Sequence, residues 1–418
     1  MRWGRGRREE VERRQEKRIN WILRFLRRRS RFYRGILGDL GAAGRISLSE
    51  FKARVPLLDR GMLAAEQRAS PPFGGLSLSG LENCISVGMT GYMGFSFTGQ
   101  PVRVPVARGD LEHCGRLAAR VFREAGVRRG WRVYVLEDPR CSTVVLYAIR
   151  GARLAGGSVI QVGAGRTLRT VRFVMSSLPP AALWCTPTYA YRVAEVASSE
   201  GAEVPVKAVA GWGELGFSVQ GFREKLAELW SASAGEVEFF DVYAMGEAGV
   251  LGCECSCHCG VHLFEDYYLF EVVDPETGEP CEGRGELVFS QLYPASLPLL
   301  RYRTGDLVEV DWDRCSCGRV FARVRVLGRV EECRRLPEGF ESVSELMESL
   351  ASAGVYDPGW RYLPDRGVLA AEEADAARHV FERVEELGGL KPMHRSYHVW
   401  VRDFSEAYRF QMRLEGVF

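Results

Sequence analysis

The feature that most restricts the fold is a regular alternation of strand-like and helix-like runs between Leu111 and Tyr243. The strand-like runs are short and rich in apolar residues, and a segment with helical periodicity precedes each one. This pattern is typical of a parallel sheet covered on both faces, because the crossover connections place helices there. We therefore predict an α/β fold. The predicted strands are Arg132–Leu136, Ser158–Gly163, Ala182–Pro187, Val206–Gly211 and Glu236–Tyr243.

The length of the chain predicts more than one domain, because a single core rarely grows beyond about 250–300 residues and the chain has 418. We expect a large N-terminal domain over residues 1–328. It divides into a helical lead-in (1–80), a parallel α/β part (81–250) and a β-rich subdomain (251–328) with short strands and turns. Residues 329–418 mix helices with short strands and predict a small C-terminal α/β lid domain.

Positive charge is concentrated at the start of the chain, where residues 1–34 carry 14 Arg or Lys against four Glu, although the net charge of the whole is only +2. Ile19, Ile22, Leu23 and Leu26 recur there at helical spacing. A basic amphipathic helix of this kind binds nucleic acid or an anionic membrane, or packs on its own domain with its charges solvated. We favour the packed helix, so nucleic acid is not an expected partner.

Neither a membrane span nor a signal peptide is apparent, since no run of about 18 apolar residues occurs. We therefore expect a cytoplasmic protein. Twelve cysteines in such a protein argue against a disulfide framework and for a metal site together with buried thiols.

Polar residues follow several of the predicted strands. Thr186 and Tyr189 follow one strand, Gly213 and Glu214 follow the next, and Glu247 comes shortly after the last strand, which ends at Tyr243. Ligands of parallel α/β sheets bind at the carboxyl ends of the strands. These residues are therefore candidates for a binding site.

A second candidate is a run of small residues that follows a strand-like start, with Ser86, Gly88, Thr90 and Gly91 in it. We predict a loop here. Such loops hold phosphates, because their amides approach an anion closely and hydroxyls add donors. A loop of this composition does not specify a ligand by itself.

The segment RYRTGDL, from Arg301 to Leu307, predicts a turn between strands that holds Asp306. A carboxylate in that position accepts hydrogen bonds from a diol such as a ribose. The alternative is a surface hairpin with salt bridges. Downstream, Cys315 and Cys317 lie one residue apart and match the spacing of metal ligands, provided that others arrive from elsewhere.

Together these motifs resemble the phenylacetate–coenzyme A ligase branch of the adenylate-forming enzymes, from about residue 13 to residue 332. SVGMTG is similar to the phosphate loop of that family, TPTYA to its TPSYA, GWGEL to its GAEP element and YAMGE to its YGxTE element. GELVFSQL, RYRTGDL, CxCGR and GRVEE follow in the order of the family.

The resemblance implies a role for each matched position. Tyr243 would stack on adenine, Asp306 would accept both ribose hydroxyls, and Glu247 would help to bind Mg²⁺ near the phosphates of ATP. Arg329 would contact phosphate or ribose, and Glu331 would lie at the hinge of the lid. The cofactors implied are ATP or AMP, Mg²⁺ and coenzyme A.

Some members of this branch also have an ECxxxxGxH element followed by CxCG. Cys255 and His262 fit the first element, and Cys315 and Cys317 complete a Cys₃His set. Three thiolates and an imidazole suit tetrahedral Zn²⁺ in a closed, structural site. Two alternatives stay open: reduced thiols without metal, and replacement of a ligand by one of Cys253, Cys257, His258 and Cys259.

The function implied is an ATP-dependent carboxylic acid–CoA ligase that acts through an acyl-adenylate, on an aryl or arylacetic acid. The alternative is a divergent relative that lacks the thioester step or all catalysis and binds nucleotides or proteins. This alternative is considered for two reasons. Gly246 replaces the Thr or Ser that carries a hydroxyl in the YGxTE element, and no lysine near the C-terminus has the surrounding sequence that the family has there. A homodimer also stays open.

Four aromatic residues are candidate walls of an acyl pocket or plain core: Tyr134, Trp184, Trp212 and Phe240.

Overall fold

The computed structural model describes residues 3–40, 44–90, 101–137, 142–163, 167–175, 180–334, 336, 339–352, 361–363 and 368–370. Gly91 of the small-residue loop lies outside these residues. So do two elements predicted for the lid domain, a helix over 372–387 and a strand over 397–401.

The helices of the described part are α1 (Arg8–Arg29), α2 (Arg31–Leu37), α3 (Leu48–Arg54), α4 (Arg60–Ala69), α5 (Arg108–Glu124), α6 (Thr143–Ala155), α7 (Thr167–Met175), α8 (Pro187–Ser199), α9 (Gln220–Ala234), α10 (Val330–Cys333) and α11 (Val343–Ser352). Among these residues, no helix is both long enough and apolar enough to cross a membrane.

The strands of the described part are β1 (Cys84–Thr90), β2 (Val102–Ala107), β3 (Arg132–Val135), β4 (Ser158–Gln161), β5 (Ala181–Cys185), β6 (Val206–Trp212), β7 (Glu238–Met245), β8 (Gly249–Cys253), β9 (Val261–Leu263), β10 (Tyr268–Val273), β11 (Arg284–Gln291), β12 (Tyr302–Asp311), β13 (Arg323–Arg329), β14 (Arg361–Leu363) and β15 (Val368–Ala370).

The chain forms two compact units. The described residues of the first unit belong to Met1–Arg128, Asp138–Gly157 and Val242–Arg325, and those of the second to Arg129–Glu137, Ser158–Asp241 and Val326–Phe418. The proposed division into a large domain and a lid after residue 328 stays a prediction.

The second unit contains the alternating pattern from which the fold was predicted. Its strands β4, β3, β5 and β6 are neighbours in that order, and their pairings are parallel. Apolar side chains of these strands and of α8 and α9 are buried together, among them Leu183, Val209 and Trp230. The predicted α/β fold with a parallel sheet is confirmed.

The first unit is built on antiparallel pairing. Strand β8 pairs with β7 and β9, β13 pairs with β9, and β11 pairs with β10 and β12. A separate two-stranded ribbon, β1–β2, is also antiparallel. Strands β9 to β12 lie within residues 251–328, and the β-rich subdomain over that range stays a prediction.

The basic N-terminal segment forms two helices rather than one. Ser30 is extended between them, and its hydroxyl accepts a hydrogen bond from the amide of Tyr33 as the cap of α2. The predicted stripe of α1 is buried, whereas most arginines of α1 remain exposed. Within the unit, Gln15 Nε2 donates to the carbonyl of Glu265 at 3.0 Å, and Tyr33 Oη donates to that of Pro298 at 2.8 Å.

Candidate functional site

A cluster of polar side chains in the first unit surrounds the buried carboxylate of Glu247. Its Oε1 accepts hydrogen bonds from Thr90 Oγ1 at 3.1 Å and from Tyr302 Oη at 3.3 Å. An Arg60 guanidinium nitrogen lies 3.2 Å from the same oxygen and also donates to Thr90 Oγ1. Two residues predicted from the sequence, Thr90 and Glu247, are therefore in direct contact.

Arg60 is a member of this cluster that the sequence analysis missed. It is the first residue of α4, directly after Asp59, whose carboxylate caps the helix by accepting from the amide of Met62 at 2.8 Å. The capping aspartate was the only signal available. It marks where the helix starts and does not indicate that the following arginine contacts Glu247.

The expected small-residue loop is, in its first part, a strand. Ser86, Gly88 and Thr90 alternate along β1 and are partly buried, whereas the residues between them are exposed. A Cβ on Gly88 would lie 2.1 Å from Thr143 Cγ2. Close packing against α6 therefore explains this glycine without a ligand.

Gly246 is explained in the same way. A Cβ at this position would lie 2.3 Å from Thr90 Cγ2, and Thr143 Oγ1 donates to the Gly246 carbonyl at 2.7 Å. The sequence shows the loss of a hydroxyl at Gly246. The structure shows that the Thr90 side chain occupies the space such a residue would need and brings its own hydroxyl to Glu247.

The nucleotide-binding candidates Tyr243 and Asp306 are also in contact. Both are buried, and Tyr243 Oη donates to Asp306 Oδ2 at 2.6 Å. Thr304 Oγ1 accepts from the Asp306 amide at 3.1 Å and donates to the carbonyl of Leu287 at 2.8 Å. Tyr243 thus holds the carboxylate of Asp306, and Thr304 holds its backbone.

The segment around Asp306 is not the turn that was expected. It lies within β12, where the register against β11 shifts between Glu286 and Val288. Gly305 has φ +74°, a left-handed conformation that only glycine adopts without strain. Its amide donates to Glu286 Oε1 at 2.9 Å. The strand therefore bulges at Gly305 and then continues through Asp306.

The two arginines of RYRTGDL are structural. Arg301 Nε and Nη2 donate to the two carboxylate oxygens of Glu271 at 2.9 and 3.1 Å, and both residues are buried. Arg303 Nε donates to Glu286 Oε2 at 2.8 Å. The alternative prediction, a surface hairpin with salt bridges, is right that both arginines form ion pairs. The carboxylates of these pairs are buried, however, and do not lie at the surface.

In the second unit, Glu214 is held by the start of α8. Its Oε1 accepts from the Thr188 amide at 2.6 Å and from Thr188 Oγ1 at 2.5 Å. Gly213 has φ +92° directly after β6, so the chain turns there. Thr186 caps α8 by accepting from the Tyr189 amide at 3.3 Å. The predicted strand-end residues of this unit therefore share one edge of its parallel sheet.

Near Glu214 is a second acid, Glu137, which the sequence analysis did not single out. Glu137 is partly buried, and Trp212 Nε1 donates to its carboxylate. Burial raises the pKa of Glu137 well above its usual value; the carboxylate of Glu214 raises it further, and hydrogen bonds from Trp212 and Trp184 oppose the shift. An uncharged carboxyl donates a hydrogen bond as well as accepting one.

The four aromatic candidates for a pocket wall lie in this unit. Tyr134, Trp184 and Phe240 are buried, and Trp212 is partly buried. The rings of Trp184 and Trp212 lie 6.2 Å apart. Tyr134 packs in the hydrophobic core, which favours the core interpretation for that residue.

The remaining two nucleotide candidates lie where β13 ends. Arg329 is the last residue of β13 and precedes α10, and Glu331 is exposed on α10. Glu331 Oε1 accepts from Arg334 at 2.6 Å. The predicted roles of Arg329 and Glu331 stay predictions.

The four predicted metal ligands converge in the first unit. One donor atom from each of Cys255, His262, Cys315 and Cys317 lies within 4.8 Å of the others. Cys255 Sγ is 3.9 Å from Cys315 Sγ, and Cys317 Sγ is 3.4 Å from His262 Nε2. Tetrahedral Zn²⁺ with Zn–S of about 2.3 Å separates two bound sulfurs by roughly 3.8 Å. The donor set therefore fits the ion.

The protonation of two of these groups, His262 and Cys315, suits a metal, whereas burial raises the pKa of the Cys255 thiol. Burial lowers the pKa of His262 to about 4, although its hydrogen bond to the Phe321 carbonyl opposes the shift. Burial opposes ionisation of Cys315, but hydrogen bonds from the Cys317 amide and from neighbouring thiols outweigh it and lower its pKa to about 6. Neutral imidazole and thiolate are the forms that bind metal.

The other candidates for the metal set are placed differently. Cys253 is buried, and His258 Nδ1 lies 3.4 Å from Glu254 Oε2. Cys257 is exposed and accepts from Ser316 Oγ at 3.2 Å. Cys259 lies closer to the set, with its Sγ 3.5 Å from Cys315 Sγ.

No family model matches the chain. The chain is 30% identical over 335 residues to the phenylacetate–coenzyme A ligase of Thermus thermophilus, a match that covers 78% of this chain and 72% of that protein. It is 29% identical over 221 residues to the enzyme of the same name from Pseudomonas putida, covering 51% of this chain and 48% of that one.

Solved structures of 2-hydroxyisobutyryl-CoA ligase are similar as well. The structure with 2-HIB-AMP and CoA in the thioesterification state has a TM-score of 0.70 at 26% identity, covering 78% of this chain and 69% of that one. The structure in the postadenylation state covers 99% and 94% with a TM-score of 0.77 at 22% identity, and it shows the likeness of the fold alone.

These likenesses, together with the observed sheets, define the fold as that of the adenylate-forming CoA ligases. Within that class, the identity and coverage of the Thermus thermophilus match show that the chain belongs to the phenylacetate–coenzyme A ligase family.

Proposed function

We propose that this protein is an AMP-forming carboxylic acid–CoA ligase that acts on an aryl or arylacetic acid. The observation that carries the proposal is the contact between Tyr243 and Asp306. It joins two nucleotide-binding candidates that are 63 positions apart in the sequence. Family membership supports the reaction class, and the names of the relatives support the substrate class.

In this proposal the first unit binds the nucleotide. Asp306 accepts the two ribose hydroxyls, and Tyr243, which already donates to Asp306, stacks on adenine. Thr90 contacts the phosphates, and the phosphate-binding roles of Ser86, Gly88 and Gly91 stay predictions. The nucleotide-binding roles predicted for Gly213, Glu214 and Arg329 stay predictions.

Two steps follow from this arrangement. The carboxylate of the acid attacks the α-phosphorus of ATP, the bond to the β-phosphate oxygen breaks, and pyrophosphate leaves. The thiol of CoA then attacks the acyl carbon, and AMP leaves with the electron pair of the broken bond. The protein contributes by positioning the reactants and neutralising charge. Glu331 is the proposed hinge residue for the change of conformation between the two steps.

Glu247 is the proposed contact for Mg²⁺, which would neutralise the phosphates. Hydrogen bonds from Thr90 and Tyr302 fix the orientation of its carboxylate. Arg60 holds a positive charge beside the same oxygen. We propose that Arg60 keeps Glu247 compensated until the metal–nucleotide complex binds, and that its guanidinium then pairs with phosphate.

We further propose a structural Zn²⁺ on Cys255, His262, Cys315 and Cys317, supported by their convergence. Such an ion would join the segment after β8 to the segment between β12 and β13. The free thiols of the described residues support a cytoplasmic setting, where thiols stay reduced. A homodimer stays a prediction.

The decisive experiment measures acid-dependent exchange of labelled pyrophosphate into ATP, followed by thioester formation with CoA, over a panel of aryl and arylacetic acids. Exchange followed by thioester supports the ligase. Nucleotide binding without exchange for any acid would instead support a binding module and would overturn the proposed activity.

A matched pair of variants tests the site. Asp306→Ala removes the ribose acceptor, and we expect nucleotide binding in calorimetry to be lost. Asp39→Asn alters an aspartate that is 93% exposed, and its affinity should match that of the wild type. Unchanged affinity in Asp306→Ala would show that the nucleotide site lies elsewhere.

A further inference from the structure

The metal cluster has a fifth donor that the family motif does not include. Cys259 lies in the segment between β8 and β9, four residues after Cys255 and three before His262. Its Sγ is 3.5 Å from Cys315 Sγ, a shorter distance than the 3.9 Å between Cys255 and Cys315. Two sulfurs bound to one Zn²⁺ lie roughly 3.8 Å apart, so the distances from Cys315 Sγ to Cys255 and to Cys259 are both close to that of two sulfurs on one ion.

Cys259 and the predicted ligand Cys317 each have an arginine as a neighbour. Arg319 Nη1 donates to Cys317 Sγ at 3.4 Å, and Arg323 Nη1 donates to Cys259 Sγ at 3.0 Å. Each of the two guanidinium groups thus contacts one sulfur, and each also pairs with a carboxylate, Arg319 with Glu124 and Arg323 with Asp311. Cys259 Sγ therefore has the same kind of cationic neighbour as the predicted ligand Cys317.

His262 and Cys259, which compete for one ligand position, differ in how firmly their side chains are held. His262 is completely buried, and its Nδ1 contacts the Phe321 carbonyl at 3.1 Å, which fixes the ring so that Nε2 faces Cys317. Cys259 is exposed. Tetrahedral Zn²⁺ takes four ligands, so one of the five donors remains outside the coordination shell, and the exposed cysteine is the one that is free to leave and return.

From these contacts we propose that Cys259 is a reserve ligand of the metal centre, which enters the coordination shell when His262 or Cys317 is lost or displaced. The proposal rests on the proposed zinc site. The centre would alternate between Cys₃His and Cys₄ coordination, and the ion would stay bound while one ligand exchanges.

The test uses the full chain loaded with Zn²⁺ or Co²⁺, in the wild type and in His262→Ala, Cys259→Ser and the double variant. We expect wild type, His262→Ala and Cys259→Ser to retain one ion per chain and the double variant to retain none. The cobalt form of His262→Ala should show thiolate-to-metal charge transfer stronger by about a third, because four sulfurs replace three.

Protection from alkylation gives a second measurement that does not depend on spectroscopy. In the zinc-loaded wild type, iodoacetamide should modify Cys259 rapidly and spare Cys255 and Cys315. In zinc-loaded Cys317→Ser, which alters a partly exposed residue and is the milder change, Cys259 should become protected at least tenfold.

The outcomes separate the two proposals. A wild-type protein without metal contradicts the zinc site itself. If the wild-type protein holds the metal, two results contradict the reserve ligand alone. One is loss of the ion from both His262→Ala and Cys317→Ser, and the other is a Cys259 that stays unprotected in Cys317→Ser.

Discussion

At the scale of single residues, Thr90 explains the most prominent departure from the family pattern. Its hydroxyl donates to Glu247, and its methyl group occupies the space beside Gly246. The two positions therefore depend on each other, although they lie in different elements.

We predict that Gly246→Ala destabilises the protein by about 1–3 kcal/mol, the usual cost of overpacking, because its Cβ meets Thr90 Cγ2. Thr90→Ser removes that methyl group and should recover most of the loss. Gly109→Ala is the matched control, since no atom lies within 4 Å of its Cβ and alanine favours a helix. Urea unfolding measures all of these, and equal losses with and without Thr90→Ser would contradict the explanation.

Glu137 gives a prediction about pH. Its folded-state pKa is raised above the unfolded value of about 4.3. Its contribution to stability is therefore complete below that value and is lost as the pH rises through the folded pKa. Glu137→Gln should raise the melting temperature at pH 8 and leave it nearly unchanged at pH 4. Glu203→Gln, at an exposed position, should leave the melting temperature unchanged at both pH values. An equal gain for Glu137→Gln at pH 8 and pH 4 would refute a raised pKa of Glu137.

The sequence indicated several of these residues but not their partners. Tyr243, Glu247 and Asp306 stand in recognisable motifs, so they could be selected in advance. Arg60 and Glu137 could not, because each is a single charged residue in an unremarkable local context. The importance of Arg60 and Glu137 comes from the residues that the fold places beside them.

At the scale of elements, ion pairs with buried carboxylates hold β12 and the residue before it to β10 and β11. Arg301, directly before β12, pairs with Glu271 on β10, and Arg303 of β12 pairs with Glu286 on β11. These pairs fix the segment from which Asp306 projects. The bulge at Gly305 could not be read from the sequence, because a Thr-Gly-Asp run fits a tight turn equally well.

We expect Arg301→Met to cost about 3–5 kcal/mol, since it leaves the carboxylate of Glu271 buried without its charge partner. Arg301→Met combined with Glu271→Met should recover a large part. Arg325→Met removes an arginine that is 57% exposed and pairs with Glu309, and it should cost no more than about 1 kcal/mol. Denaturant titration gives the three values, and similar costs for Arg301 and Arg325 would exclude the buried pair as a determinant of stability.

At the scale of the whole molecule, the alternation of strands and helices was sufficient to predict the parallel sheet. The reason is that buried parallel strands and their crossover helices have a distinctive pattern. The division into units was not predictable in the same way, because the second unit is assembled from three separate stretches of the chain and nothing local marks their association.

Metal removal should affect the stability of the entire chain, because the proposed zinc joins segments that are about 60 positions apart, Cys255 and Cys315. We predict that chelation lowers the melting temperature and that added Zn²⁺ restores it. Cys315→Ser should reproduce the loss, whereas Cys281→Ser, a thiol outside the cluster, should not. Calorimetry with elemental analysis checks this, and a chelator-insensitive melting temperature in a zinc-containing protein would contradict a structural role.

The contacts of the N-terminal helices have a consequence for the protein while it is being made. The partners of Gln15 lie 250 and 253 positions downstream, and that of Tyr33 lies 265 positions downstream. At translation rates of roughly 5–20 residues per second, Gln15 is synthesised about 12–50 seconds before its partners exist. The hydrogen bonds that tie the basic helices α1 and α2 to the chain from Glu265 onwards can therefore form only late in synthesis.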